Sequence, residues 1–115
     1  MFGFLKKWLG GASGPASLSP QDAQALATSG AIILDVRSAA ERRAAFIPGS
    51  THLPLDELNA RLAQLPRQKT IICQCASGRR SAQATRLLTT AGLDARNLRG
   101  GIAAWQGAGL PTKSK

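Results

Sequence analysis

Two runs in the chain, AIILDV (31–36) and TIICQC (70–75), place apolar residues at consecutive positions and then stop on polar ones. A strand with one face in water alternates apolar and polar residues. These runs do not, so both their faces need cover, which parallel strands receive from crossover helices. The rest of the chain supplies such helices. In SPQDAQALATSG, Ser19 is an N-cap, Pro20 opens the helix, Asp22 lies three residues after the cap, and Gly30 is a stop. SAAERRAA carries a capping box in Ser38 and Glu41. In PLDELNARLAQLP the leucines Leu55, Leu58, Leu62 and Leu65 recur at helical spacing before Pro66 closes the element. SAQATRLLTTAG aligns Ala84, Leu87, Leu88 and Ala91 in one stripe before Gly92, and IAAWQGAG forms a short closing helix in which Trp105 caps the core. A short strand around 50–53 and a less apolar one in DARNLRGG complete the alternation. The pattern predicts an α/β domain with a mostly parallel sheet of four or five strands, and 115 residues suffice for one such core.

The ends of the chain read differently. Residues 1–17 comprise MFGFLKKWLG and a Gly/Ser-rich linker, residues 18–111 form the domain, and 112–115 form a solvated tail. On a helix, Met1, Phe2, Phe4, Leu5, Trp8 and Leu9 fall on one side and Gly3, Lys6, Lys7 and Gly10 on the other. The segment is too short to span a bilayer and has no signal-peptide cleavage pattern. The readings that stay open are a frayed terminus or a segment docked on the domain's own apolar surface, and peripheral contact of residues 1–10 with a membrane surface. With no export signal, a cytoplasmic monomer is expected, peripheral at the inner membrane surface on the second reading.

Fifteen Lys and Arg against six Asp and Glu give a formal charge of +9, which favours anionic partners. Nucleic acid is not expected among them, since the arginines are scattered, tyrosine is absent and no binding motif is present. Two cysteines and one histidine neither staple a secreted scaffold nor complete a tetrahedral zinc site, so no metal is expected.

The chemistry concentrates after the second apolar run. Cys75 ends TIICQC and is followed by Ala76, Ser77, Gly78, Arg79, Arg80 and Ser81 at the start of a helix. Ligands of open parallel sheets bind beyond the carboxyl ends of the strands. There the loop amides and the positive end of the helix can hold an anion and lower a thiol pKa to roughly 3.5–7.5. Gly78 lets backbone amides approach a ligand, and Arg79 and Arg80 add charge for a dianion. A buried, inert strand-end cysteine is the alternative to a nucleophile.

At these residues the chain resembles the rhodanese-like domain family. CASGRRS is similar to that family's active-site loop, with Cys75 matching the catalytic cysteine and Gly78, Arg80 and Ser81 matching recurrent positions. ILDVRS (33–38), IPGSTHLPLDEL (47–58) and LRGGIAAW (98–105) resemble three further motifs of the family in the same order. The resemblance implies a five-stranded sheet flanked by helices on both faces and a single-domain thiosulfate sulfurtransferase that uses no cofactor. In that chemistry Cys75 carries a persulfide between a small anionic donor and a thiol or cyanide acceptor. The amides of Ala76, Ser77, Gly78, Arg79, Arg80 and Ser81 would hold the anion, and Arg79 or Arg80 would dock the donor.

Phe46 departs from the family by replacing a histidine, with an effect expected to be structural. Cys73 lies on the same side of its strand as Cys75, either as a small buried hydrophobe or as a thiol that resolves the persulfide. Asp35 and Arg37 are expected to make a structural ion pair with a loop arginine. Glu41, Arg42 and Arg43 read as a solvated helix face, and His52 as ordinary packing at a strand end. Two other classes compete: a non-catalytic binding module, and a cysteine-loop phosphatase. The phosphatase needs five residues between Cys and Arg, whereas four separate Cys75 from Arg80.

Overall fold

The computed structural model describes residues 16–115, so the N-terminal amphipathic segment and most of the linker lie outside the described residues. Five strands form one sheet: β1 (Ser17–Leu18), β2 (Ile32–Asp35), β3 (Thr51–His52), β4 (Ile71–Gln74) and β5 (Ala95–Leu98). Their order is β1-β5-β4-β2-β3, and every pairing is parallel. The helices are α1 (Pro20–Thr28), α2 (Ala39–Ala44), α3 (Leu55–Leu58), α4 (Arg79–Thr90) and α5 (Gly101–Gly107).

The two apolar runs are the neighbouring strands β2 and β4, and each side of the sheet has its own core. Leu34, Ile71, Cys73 and Cys75 pack with Leu58 and Leu65 and with Ala84 and Leu88 of α4. Ile33, Ile72 and Leu98 pack on the opposite face with Ala23 of α1 and with Ile102 and Trp105 of α5. Trp105 also donates its indole N–H to the Pro111 carbonyl at 2.8 Å. The expected caps form as well. Ser19 accepts from the Asp22 amide, and Ser38 and Glu41 make the reciprocal capping box of α2.

Three expectations need correction. Ser17, assigned to the linker by composition, belongs to β1, where it lies opposite Asn97. A two-residue edge strand carries no periodicity and exists only through its pairing with β5. The leucine-rich segment is not one α-helix, because α3 passes into a 3-10 stretch over Asn59–Gln64 with a kink at Arg61. Neither piece has a side-chain cap, so burial of the leucines decides the winding rather than helix propensity. The tail has exposed side chains, but its backbone is tied. Phe46 and Lys113 exchange hydrogen bonds of 2.8 and 2.9 Å, and Arg42 lies over the Phe46 ring at 4.8 Å. Phe46 thus has a structural role in anchoring the C-terminus.

The chain leaves β2 toward β3 and leaves β4 toward β5, on opposite sides of the sheet. The carboxyl ends of β2 and β4 therefore flank the switch point at which such sheets bind ligands. No helix among the described residues is long and apolar enough to cross a membrane.

Candidate active site

Cys75 follows β4 directly and is 1% exposed. Its sulfur accepts from the Gly78 amide at 3.1 Å and from the Ser81 amide at 3.3 Å, and the Ser81 hydroxyl oxygen also lies 3.3 Å away. Gly78 caps α4 in the left-handed conformation, at φ 105°, which brings the first amides of the helix onto the sulfur. Burial pushes the Cys75 thiol up. The Ser81 hydroxyl and the amides of Ser81, Gly78 and Ser77 together outweigh it and hold the thiol below its ordinary value.

The loop keeps this shape because α5 holds its other side. The Ile102 amide donates to the Cys75 carbonyl at 2.8 Å, and the Ala103 amide donates to the Ala76 carbonyl at 3.2 Å. The buried Gln74 side chain adds a bond from Nε2 to the Cys75 carbonyl at 3.0 Å. With its first carbonyls taken by α5, the loop turns its amides toward the sulfur. Here LRGGIAAW has its physical meaning, as the helix start that fixes the cysteine loop from behind.

The charged groups are distributed differently from the sequence expectation. Asp35 pairs with Arg37 at 2.9 Å and with Arg42 at 3.1 Å, not with a loop arginine. Arg37 also donates to the Ala45 carbonyl at 2.7 Å, and Arg42 donates to Ser50, so this network ties β2 to the turn before β3. The loop's partner is Glu41, whose two oxygens each accept from Arg80 at 2.8 Å. The solvated-face reading of Glu41 and Arg42 was therefore wrong. Helical spacing marks the outward face of α2, but α2 follows β2 and its outward face meets the cysteine loop. Arg80 is consequently engaged, while Arg79 is exposed at the first position of α4. His52 donates its Nε2–H to the Arg37 carbonyl at 2.7 Å, as ordinary packing at the core edge.

The Arg80 guanidinium and the Ser38 donors hold the Glu41 carboxyl down at about 2, against an ordinary 4.5. A carboxyl that is more acidic when folded stabilises the fold while ionised. That contribution is whole above 4.5 and is lost as the pH falls from there through about 2. The pair is part-exposed, so solvent screens it. Glu41→Gln is expected to flatten the acid decline of the urea midpoint across this window. An unchanged decline in the variant would assign the acid sensitivity to other carboxylates.

Cys73 shares the Cys75 side of β4 but is fully buried, and burial pushes its thiol up to about 12. A resolving thiol must ionise to attack, so the environment fits the small-hydrophobe reading. Cys73→Ala is expected to leave sulfur uptake from a sulfane donor unchanged and to lower stability by about 1 kcal/mol through the small cavity it opens. Intact mass and urea unfolding check the two halves separately.

One residue at the site carried no signal in the sequence reading. Asn97, in the weakly apolar β5, accepts from the Ser81 hydroxyl at 2.6 Å and donates to the Gly78 carbonyl at 3.2 Å. Only the pairing of β5 with β4 brings it beside the loop.

Fold and site together define an α/β domain of the cysteine-loop class, in which a strand-to-helix loop holds a thiol below its ordinary pKa. Residues 19–108 match the family model for the rhodanese-like domain, and the chain belongs to that family. A sulfurtransferase of Allochromatium vinosum is 37% identical over 85 residues, covering 73% of this chain and 79% of its own length. A tRNA sulfurtransferase of Desulfurococcus amylolyticus is 39% identical over 79 residues, which are 69% of this chain but 15% of that far longer protein. The crystal structure of a rhodanese-related protein from Thermoplasma volcanium superposes with a TM-score of 0.82 at 31% identity, covering 87% of this chain and 99% of that one.

Proposed function

We propose that the protein is a thiosulfate sulfurtransferase that carries a sulfane sulfur on Cys75. The observation that carries this reading is the Cys75 sulfur, buried at the switch point with two amide donors and a hydroxyl within 3.3 Å and a thiol held below its ordinary value. The thiolate attacks the outer sulfur of thiosulfate and forms a new S–S bond. The S–S bond of thiosulfate breaks, and sulfite leaves with its electron pair. The persulfide anion on Cys75 takes the place of the thiolate within the amides of Ala76, Ser77, Gly78, Arg79, Arg80 and Ser81. Cyanide or a thiolate then attacks the outer sulfur, departs as thiocyanate or as a persulfide, and restores the Cys75 thiolate. No general base is required when the loop already ionises the thiol.

Arg79 is the cation that attracts the donor, since Arg80 is taken by Glu41. The loop length of four residues before Arg80 supports sulfur over a phosphoryl group. A reactive free thiol fits a reducing compartment such as the cytoplasm. The test is intact mass of the reduced full chain after brief incubation with thiosulfate, followed by cyanide. A gain of one sulfur atom, discharged as thiocyanate, is expected. No gain with thiosulfate or any other sulfane donor would overturn the reading in favour of a binding module.

A further inference from the structure

The Ser81 hydroxyl has one proton and two acceptors within reach. Its oxygen is 2.6 Å from Asn97 Oδ1 and 3.3 Å from the Cys75 sulfur. The Asn97 amide cannot reverse to relieve the competition. Its Nδ2 donates to the Gly78 carbonyl, and reversal would set Oδ1 against that oxygen, acceptor facing acceptor. Oδ1 is therefore held toward Ser81, and the shorter contact has the stronger claim on the proton. A lone pair of the hydroxyl then faces the sulfur, which suits a thiol that can donate its S–H. It does not suit a thiolate, which needs a donor. Turning the Ser81 proton to the sulfur would leave Asn97 Oδ1, on a side chain that is 7% exposed, without a donor.

We propose that Asn97 is a positioning residue that limits stabilisation of the Cys75 thiolate by competing with the sulfur for the single Ser81 proton. The inference rests on the reading of Cys75 as the nucleophile. Its chemical sense lies in reactivity, because a thiolate loses nucleophilicity as its pKa falls, with a Brønsted slope of about 0.4–0.5. The amides of Gly78 and Ser81 donate to the sulfur whichever way the hydroxyl turns, and withholding the hydroxyl proton keeps the ionised sulfur more nucleophilic.

The charged and titratable groups around Cys75 are unchanged by Asn97→Leu and Ser81→Ala. They are Arg80 and exposed Arg79 from α4, Glu41 from α2 on Arg80, Asp35 from β2 with Arg37 and Arg42, and Cys73 from β4. On β5, Arg96 is turned to Asp94, and α5 has no titratable side chain.

The test is the pH dependence of Cys75 alkylation by iodoacetamide in the full chain, with the adduct located by mass. Asn97→Leu is expected to lower the midpoint by about one pH unit, the size of a hydrogen bond to a charged group. It should also slow the plateau rate about threefold, from the Brønsted slope. In a Ser81→Ala background the same substitution should move neither. An unmoved midpoint, or an equal shift in both backgrounds, would overturn the proposal. Asn97→Asp keeps the side chain's size, loses the bond to the Gly78 carbonyl as Asn97→Leu also does, and decides the matter if Asn97→Leu does not fold. Its carboxylate holds the proton harder and should raise the midpoint more with Ser81 present than in the Ser81→Ala background. Equal rises in both would reduce Asp to a charge effect and overturn the proposal. Loss of sulfur uptake with this alkylation pattern intact would strike the proposed activity and leave the role of Asn97 standing.

Discussion

Cys75→Ser is expected to gain no sulfur from thiosulfate while keeping its fold. Serine oxygen fits the cradle of amides at Gly78 and Ser81, so the hydrogen bonds that shape the loop have an acceptor to keep. What is lost is the reacting atom. A hydroxyl is not ionised near neutral pH by a few hydrogen bonds, and oxygen forms no stable link to a sulfane sulfur under these conditions. Cys73 offers no substitute, because its thiol is pushed up to about 12 where that of Cys75 is held down. The check is intact mass beside a urea unfolding curve. An unchanged curve with no added sulfur supports Cys75 as carrier, whereas a gain of sulfur by the variant would move the carrier to Cys73.

Gly101→Ala is expected to break both the fold's stability and the site, although the residue touches no substrate. Gly101 has φ 63°, and a methyl group there would lie 2.5 Å from the carbonyl oxygens of both Cys75 and Ala76. These are the oxygens that Ile102 and Ala103 hold in order to turn the loop amides toward the sulfur. Backbone cannot yield as a side-chain tip can, so α5 must retreat from the loop. Left-handed strain and overpacking together are expected to lower stability by about 2–4 kcal/mol. The loosened amides should also raise the midpoint of Cys75 alkylation. Gly107→Ala, at the far end of the same helix with open space around it, is the control and should change stability by no more than about 0.5 kcal/mol. Equal urea midpoints for the two variants would show that the close approach of α5 to the loop is dispensable.

The sheet and the cysteine loop were legible because each rests on local chemistry. Ile32–Asp35 and Ile71–Gln74 are apolar on both faces, and the caps at Ser19 and Ser38 are patterns within four residues. Cys75, Gly78 and Ser81 act within a single loop, so their spacing already contains most of their geometry. The misread residues act across the chain. Glu41 is 39 positions from Arg80 and Asn97 is 16 from Ser81, and neither position looks unlike a surface or edge residue in its own segment. The 3-10 stretch at Asn59–Gln64 belongs with them, since leucine spacing reports which residues are buried but not how tightly the backbone winds.

By itself, the sequence determined a parallel α/β domain with a thiol at the carboxyl end of a central strand and helix amides ready to receive it. Burial pattern, capping and backbone freedom are properties of neighbouring residues, and they need no knowledge of the rest of the chain. Only the tertiary structure decided which charges and hydrogen bonds surround that thiol. Parallel pairing joins strands that are distant in sequence, so β2 brings the Asp35 network and α2, and β5 brings Asn97. The loop holds the thiol below its ordinary pKa, and the elements packed around it decide which hydrogen bonds and cations its donors keep.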